Sequence, residues 1–262
     1  MRISEWATVL RQRNRLLYHS AVASLMLAVA CGIGIAVDNR EVMGVHVWLK
    51  PLKFTLSVGL YCLTLAWMLA YLPLREKKII SWGTVVCMII ELGLILLQAA
   101  RGVPSHFNIS TPANAAIFST MGFFIGLNSL LVLYTIWGFF RYTIPLADHM
   151  VWAWRLGLAM LFLAGISGGI MSAGLHHAVG VADGGPGLPL LNWSTTGGDW
   201  RVPHFFALHA FQIVPLSVWL LTDVTGYVAS TRTTAFLVGL GYFALCLWLH
   251  LMALYGVPFL KF

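Results

Sequence analysis

Seven apolar runs, each close to the length of one bilayer crossing, leave this chain few folds to choose from. They lie at Leu17–Val37, Pro51–Leu72, Ile79–Ala100, Ala113–Phe140, Leu156–Leu175, Pro203–Leu221 and Thr234–Tyr255. About 20 residues of helix cross roughly 30 Å of hydrocarbon. Inside lipid a segment must satisfy its own backbone N–H and C=O groups, so runs of this length read as α-helices. Composition agrees: 59% of the 262 residues are hydrophobic, only 10% are charged, and the mean hydropathy is +0.83. A soluble domain carries roughly 25% charged residues, so lipid is the solvent for most of this surface. The expectation is an all-α polytopic membrane bundle of about seven transmembrane helices, forming a single domain over residues 1–262. Six or eight spans result if the amphipathic piece Val45–Phe54 is counted differently. No internal repeat of the inverted-repeat transporter type and no interdomain linker stands out.

The net charge of +7 would suggest nucleic acid in a soluble protein. Here the basic residues sit mostly at the ends of apolar runs, where they anchor helices, and nucleic acid is excluded as a partner. Cys31, Cys62, Cys87 and Cys246 all fall inside apolar runs without a CxxC pair. They read as small buried hydrophobes, not as a disulfide or metal framework. The first run is longer than the core of a secretory signal, which makes it an uncleaved first span.

Lys and Arg set the orientation. With a cytoplasmic N-terminus, the inner side holds Arg2, Arg11, Arg13, Arg15, Arg75, Lys77, Lys78, Arg141, Arg155 and Arg232, while the outer side holds Arg40, Lys50, Lys53, Arg101, Arg201 and Lys261. The bias favours N-terminus inside. The polar chemistry then gathers at the outer face, in Val45–Phe54, Arg101–Pro112 and Asp183–His204. The last of these opens the segment Asp183–Gln212, which holds five glycines, three prolines, two acids, one Arg and two His between two apolar runs. It reads as a lid. His46, His106, His176, His177, His204, His209 and His250 share that face, and only His19 and His149 lie inside.

Imidazole is the commonest metal ligand and the usual axial ligand of haem. His106, His176, His177, His204 and His209 are therefore the candidate metal or haem ligands. The competing reading makes them interfacial histidines bonded to neighbouring helices. His204 and His209 are five residues apart, roughly 140° around a helix, and so do not share a face. Glu91 and Gln98, seven apart, do share one. A carboxyl at mid-membrane costs a few kcal/mol and marks function by default, so Glu91 is a candidate proton carrier or catalytic acid with Asn128 as its expected partner. Asp199 is the second candidate catalytic acid. Lys50, Lys53, Arg101 and Arg201 form a candidate anion-attracting rim, with Asn128, Gln98 and Gln212 as further candidate ligand-binding residues. Gly165-xxx-Gly169-xxx-Ala173 reads as a close-packing helix face.

Several functions are disfavoured. The last span has no Lys for a retinal Schiff base, and no Walker loop, GxSxG elbow or GxGxxG appears. The segments LKPLKF, QAARGVPSHFN, GGPGLPLLNWSTTGGDWR and PHFFALHAFQ together resemble an uncharacterised family of bacterial multi-span membrane proteins. That resemblance covers most of the chain and implies the plasma (inner) membrane of a bacterium. It carries over no activity and no site residues. The leading expectation is thus an outward-facing His/Asp/Arg pocket holding a metal ion or haem, with redox or hydrolytic chemistry. The alternatives are a carrier or receptor for a small anionic or lipid-like ligand, and an accessory subunit of a larger membrane complex.

Overall fold

The computed structural model describes residues 3–226, 228–229 and 231–261 of the chain; Arg2, counted above for orientation, lies outside them. Among the described residues there are eight α-helices: α1 (Ile3–Arg13), α2 (Arg15–Val37), α3 (Leu49–Met68), α4 (Leu74–Ala100), α5 (Pro112–Arg141), α6 (Asp148–Gly174), α7 (Arg201–Trp219) and α8 (Arg232–Leu254). Two small antiparallel ribbons, β1–β2 (Glu41–Val42, Val45–His46) and β3–β4 (Ala178–Val179, Gly198–Asp199), complete the fold. Seven of the helices are long and apolar enough to cross a membrane, as the runs predicted. α1 was not foreseen, because its 11 residues include three charges and fall short of a crossing.

The helices start earlier than the apolar runs do. α4 begins at Leu74 and α6 at Asp148, taking Arg75, Lys77, Lys78 and Arg155 into helical turns. Long cationic stems can lie along apolar surface with their heads in the interface, so charge does not end a helix there. Caps follow sequence chemistry. Asn14 Oδ1 accepts the Leu17 N–H at 3.2 Å, Thr111 Oγ1 accepts from Asn114 at 3.2 Å, and Thr231 Oγ1 accepts from Thr234 at 3.3 Å. The Thr111-Pro112 helix start is as expected.

The chain divides into two compact units, Met1–Gly138 and Phe139–Phe262. In the first, α2 packs along α3, and Ser24 Oγ donates to the Thr55 carbonyl at 2.7 Å. One end is tied by a polar chain. Asn14 Nδ2 donates to Ser81 Oγ at 2.6 Å, Lys77 Nζ to the Arg13 carbonyl at 3.1 Å, and the Arg13 guanidinium lies 3.7 Å from the Trp67 ring centre. At the other end β1 and β2 turn through Met43 and Gly44, both at positive φ (53° and 72°), the geometry of a tight hairpin turn. Asp38 clamps that ribbon, accepting from Arg40 Nη2 at 2.7 Å and from Trp48 Nε1 at 2.8 Å. Arg40 Nη1 reaches the Ala100 carbonyl at 3.0 Å.

In the second unit α6 packs along α7, with α8 against both, around a core of Ala153, Met160, Ala210, Val214, Val218 and Ala235. The close approach is at Gly157, where a Cβ would stand 2.7 Å from the Phe211 Cα and 3.0 Å from the Ala210 carbonyl oxygen. The face expected from Gly165, Gly169 and Ala173 is not the one used: all three are exposed, and nothing lies within 4 Å of a Cβ on Gly169. The packed face is instead Gly157, Leu161, Ala164, Gly168 and Met171. Ala164 and Gly168 on that face also stand four apart, so small-residue spacing alone did not separate the two stripes.

Two outcomes follow. Gly157→Ala pushes backbone against backbone and lowers stability by about 1–3 kcal/mol, whereas Gly169→Ala is neutral or stabilising by up to about 1 kcal/mol of helix propensity; unfolding in mixed micelles reads both. The Arg40 guanidinium, and then the Trp48 indole, hold the Asp38 carboxyl well below the usual carboxylate range. A depressed folded pKa stabilises the native state above the unfolded value of about 3.9, and that contribution is lost as pH falls through the depressed one. The Trp48 indole N–H resonance therefore stays unmoved from neutral pH down to about 4 and shifts only in stronger acid, and Asp38→Asn shifts it at every pH.

Candidate functional site

The expected site residues fall into two groups, one in each unit. In the first unit, Glu91 stands in the second half of α4 (Leu74–Ala100) and is 5% exposed. Its Oε1 lies 3.8 Å from His106 Nε2, too far for a hydrogen bond. Its Oε2 is buried with no hydrogen-bond partner. His106 reaches this depth because the loop after α4 folds back: Phe107 takes φ 59° and Gly102 φ 69°, and the Val103 N–H returns to the Gln98 carbonyl at 3.1 Å. Three phenyl rings line the imidazole, Phe54 at 5.7 Å, Phe107 at 6.2 Å and Phe118 at 6.3 Å between centres. Ser105 Oγ lies 3.1 Å from its Nδ1. Lys50 Nζ, in the first turn of α3, is 5.8 Å from the Phe54 ring and interacts electrostatically with Glu91.

Asn128 is not the partner of Glu91. It pairs with Tyr61, whose hydroxyl lies 3.4 Å from Asn128 Oδ1 and 3.3 Å from Nδ2. Gln98, wholly buried, and Arg101 belong to a structural knot: Arg101 Nη1 donates to Gln98 Oε1 at 2.5 Å and to Asn114 Oδ1 at 3.0 Å, and Gln98 Nε2 donates to Asn114 Oδ1 at 3.2 Å. Lys53 is half-buried in α3, near Lys50 in sequence. The knot holds the α4–α5 loop in place and so positions His106.

In the second unit the segment between α6 and α7 is braced by two carboxylates. Asp183 accepts the backbone N–H of Ala178 at 2.8 Å and of His177 at 3.2 Å, and its Oδ2 lies 3.3 Å from His177 Nε2. Asp199, 2% exposed, accepts from the Ser194 and Arg201 amides at 2.9 Å and from Arg201 Nη2 at 2.7 Å. Arg201 Nη2 also donates to the Asn192 carbonyl, and Trp193 packs among Phe205, Phe206 and Phe259. The other histidines are spent on local bonds. His204 Nδ1 meets the Ala164 carbonyl at 2.9 Å, His176 Nδ1 the Ala178 carbonyl at 2.9 Å, His209 Nδ1 Gln212 Oε1 at 3.3 Å, and His250 Nδ1 the Cys246 carbonyl at 2.8 Å.

Among the described residues no group of three or more His, Cys, Asp or Glu side chains could hold a metal ion. His106 belongs to the first unit, and His176, His177, His204 and His209 to the second. Each of the four in the second unit has a protein partner, but only His204 bonds to a neighbouring helix, through the Ala164 carbonyl of α6; His176, His177 and His209 bond within their own loop or helix. The aromatic walls of the first group, Phe54, Phe107 and Phe118, were missed by sequence reasoning. Phe54 inside LKPLKF and Phe107 inside SHFN were the available signals.

These features define a class, the multi-pass helical membrane protein with a buried acid–imidazole pair. No family model, characterised protein or solved structure matches the chain, so the likeness of the loop motifs is carried no further than that class.

The two acids predict opposite outcomes. Asp199→Ala strips a buried partner from Arg201 and two amides, and destabilises by about 3 kcal/mol or more. Glu91→Leu removes an unsatisfied buried oxygen and stabilises by about 1–3 kcal/mol. Unfolding of each variant in mixed micelles checks the signs, and a destabilising Glu91→Leu would give Glu91 a packing role instead.

Proposed function

We propose that this chain is a membrane-embedded carrier or receptor for a small molecule, recognised in the first unit by Glu91 and His106, and that it resides in the bacterial plasma membrane. One observation carries the reading: Glu91 Oε2 is buried without a partner. Ionised, that carboxylate is a buried charge lacking a full set of donors. Protonated, it still leaves an oxygen unsatisfied. Burying such a group costs several kcal/mol, and a ligand that brings a donor removes the cost. The acid therefore reads as half of an interaction whose other half is a bound molecule or a proton. The anion-rim version of this function loses two of its cations, because Arg101 is committed to Gln98 and Asn114 and Arg201 to Asp199. The metal or haem reading has no assembled ligand set among the described residues, and the acid–imidazole centre is the better supported of the two.

The test is ligand-induced thermal stabilisation of the detergent-purified protein, scanned with small amines, carboxylates, phosphates, amino acids and sugars. At least one class raises the melting temperature of the wild type. Glu91→Gln removes that rise while melting at or above the wild-type temperature without ligand, and His106→Ala weakens it. A scan without any shift, or a shift indifferent to both substitutions, rules the reading out.

A further inference from the structure

The surroundings of Glu91 narrow the chemistry of its ligand, and the argument rests on the ligand-binding reading just given. The unpartnered Oε2 of a side chain that is 7% exposed calls for a hydrogen-bond donor, best a cationic one, since charge-assisted bonds are roughly twice as strong as neutral ones. Phenyl faces attract the same ligand: Phe54, Phe107 and Phe118 stand around the imidazole, and an ammonium is drawn to aromatic faces within about 6 Å. A lone cation, however, also meets Lys50, whose ammonium lies 5.8 Å from the centre of the Phe54 ring and whose charge reaches Glu91. Phe54 is thus flanked by Lys50 and by the His106 ring, which is itself next to Glu91. A ligand that carried an anionic group as well would turn Lys50 from a repulsive neighbour into a partner. Lys50 also stands in the first turn of α3, where the positive end of the helix adds to its charge.

We infer that the Glu91–His106–Lys50 centre binds a small zwitterion, with a primary ammonium on Glu91 and an anionic group on Lys50, beside the Phe54 ring. A phosphoethanolamine group has this chemistry, whether free or as the headgroup of a phospholipid.

Isothermal titration of the purified full-length protein with phosphoethanolamine, ethanolamine and inorganic phosphate reads both halves. Phosphoethanolamine binds about tenfold or more tighter than either fragment, the gain expected when two charge-assisted contacts act together. Glu91→Gln lowers its affinity to that of inorganic phosphate, and Lys50→Met lowers it to that of ethanolamine. Circular dichroism and elution volume confirm that both variants fold. Repeating the titration in nanodiscs separates the sources. Competition in phosphatidylethanolamine discs that is absent in phosphatidylcholine discs supports the zwitterion as a lipid headgroup, and equal affinity in both supports it as a free solute. Inorganic phosphate binding as tightly as phosphoethanolamine, or phosphoethanolamine binding unaltered by Glu91→Gln, overturns the inference. If phosphoethanolamine fails while another class from the thermal scan binds in a Glu91-dependent way, the zwitterion is wrong and the ligand-binding function stands. If no class binds, both fall.

Discussion

Water is missing from most of the surroundings of this chain, and that absence governs what its polar groups can do. In a soluble protein an unpaired carboxyl or imidazole turns to solvent and loses little. In lipid it must find a partner within the protein or bear a cost of several kcal/mol. Nearly every polar side chain discussed above shows the result. Gln98, Asn114 and Arg101 close on one another, Asp199 collects two amides and a guanidinium, and His204 meets the Ala164 carbonyl. The segment Asp183–Gln212, which runs into α7, contains five glycines and three prolines, yet Asp183 and Asp199 within it each accept main-chain N–H groups. Those two acids brace it against its own backbone.

Bracing and recognition use the same residue types, and the distinction lies in saturation. A carboxylate has about four lone-pair sites. Asp199 fills most of them from residues within a few positions of itself, which is what a local structural element does. Glu91 meets His106 only at 3.8 Å and leaves Oε2 empty. That imidazole comes from the loop after α4 and not from Glu91's own helix. Such an arrangement costs stability, and natural sequences retain it where binding or catalysis requires it.

The sequence was most informative where one physical demand dominated. Apolar length placed all seven long helices, with ends displaced by a few residues because Arg75, Lys77, Lys78 and Arg155 lie along helices instead of ending them. Depth marked Glu91, since an acid in the middle of an apolar run is conspicuous. Its partner was not readable, because Asn128 and His106 are both plausible by depth and only the fold-back at Phe107 and Gly102 decides between them. The hairpin turn at Met43-Gly44 carries no Asn-Gly or Asp-Gly signature, and α1 is too short and too charged to register as a crossing. The small-residue stripe failed for a related reason. Gly165, Gly169 and Ala173 satisfy a spacing rule, but contact is decided by which face α7 meets, and Gly157 and Gly168 lie on that face.

The histidines show why spacing alone could not identify a site here. Seven were gathered at one face by orientation, which is a statement about depth and not about neighbours. Once the fold is known, four of them bond to a carbonyl or amide oxygen within four residues or on the adjacent helix. A fifth, His177, is held against Asp183. Imidazole can donate and accept in the same ring, so it is a convenient partner for a carbonyl or amide oxygen where water is scarce. An abundance of interfacial histidine is therefore first a consequence of the solvent. What distinguishes His106 is its company: a buried acid with an unfilled oxygen, three phenyl rings and an ammonium. It is the combination of unmet hydrogen bonding with an aromatic wall that marks this imidazole as part of a binding site.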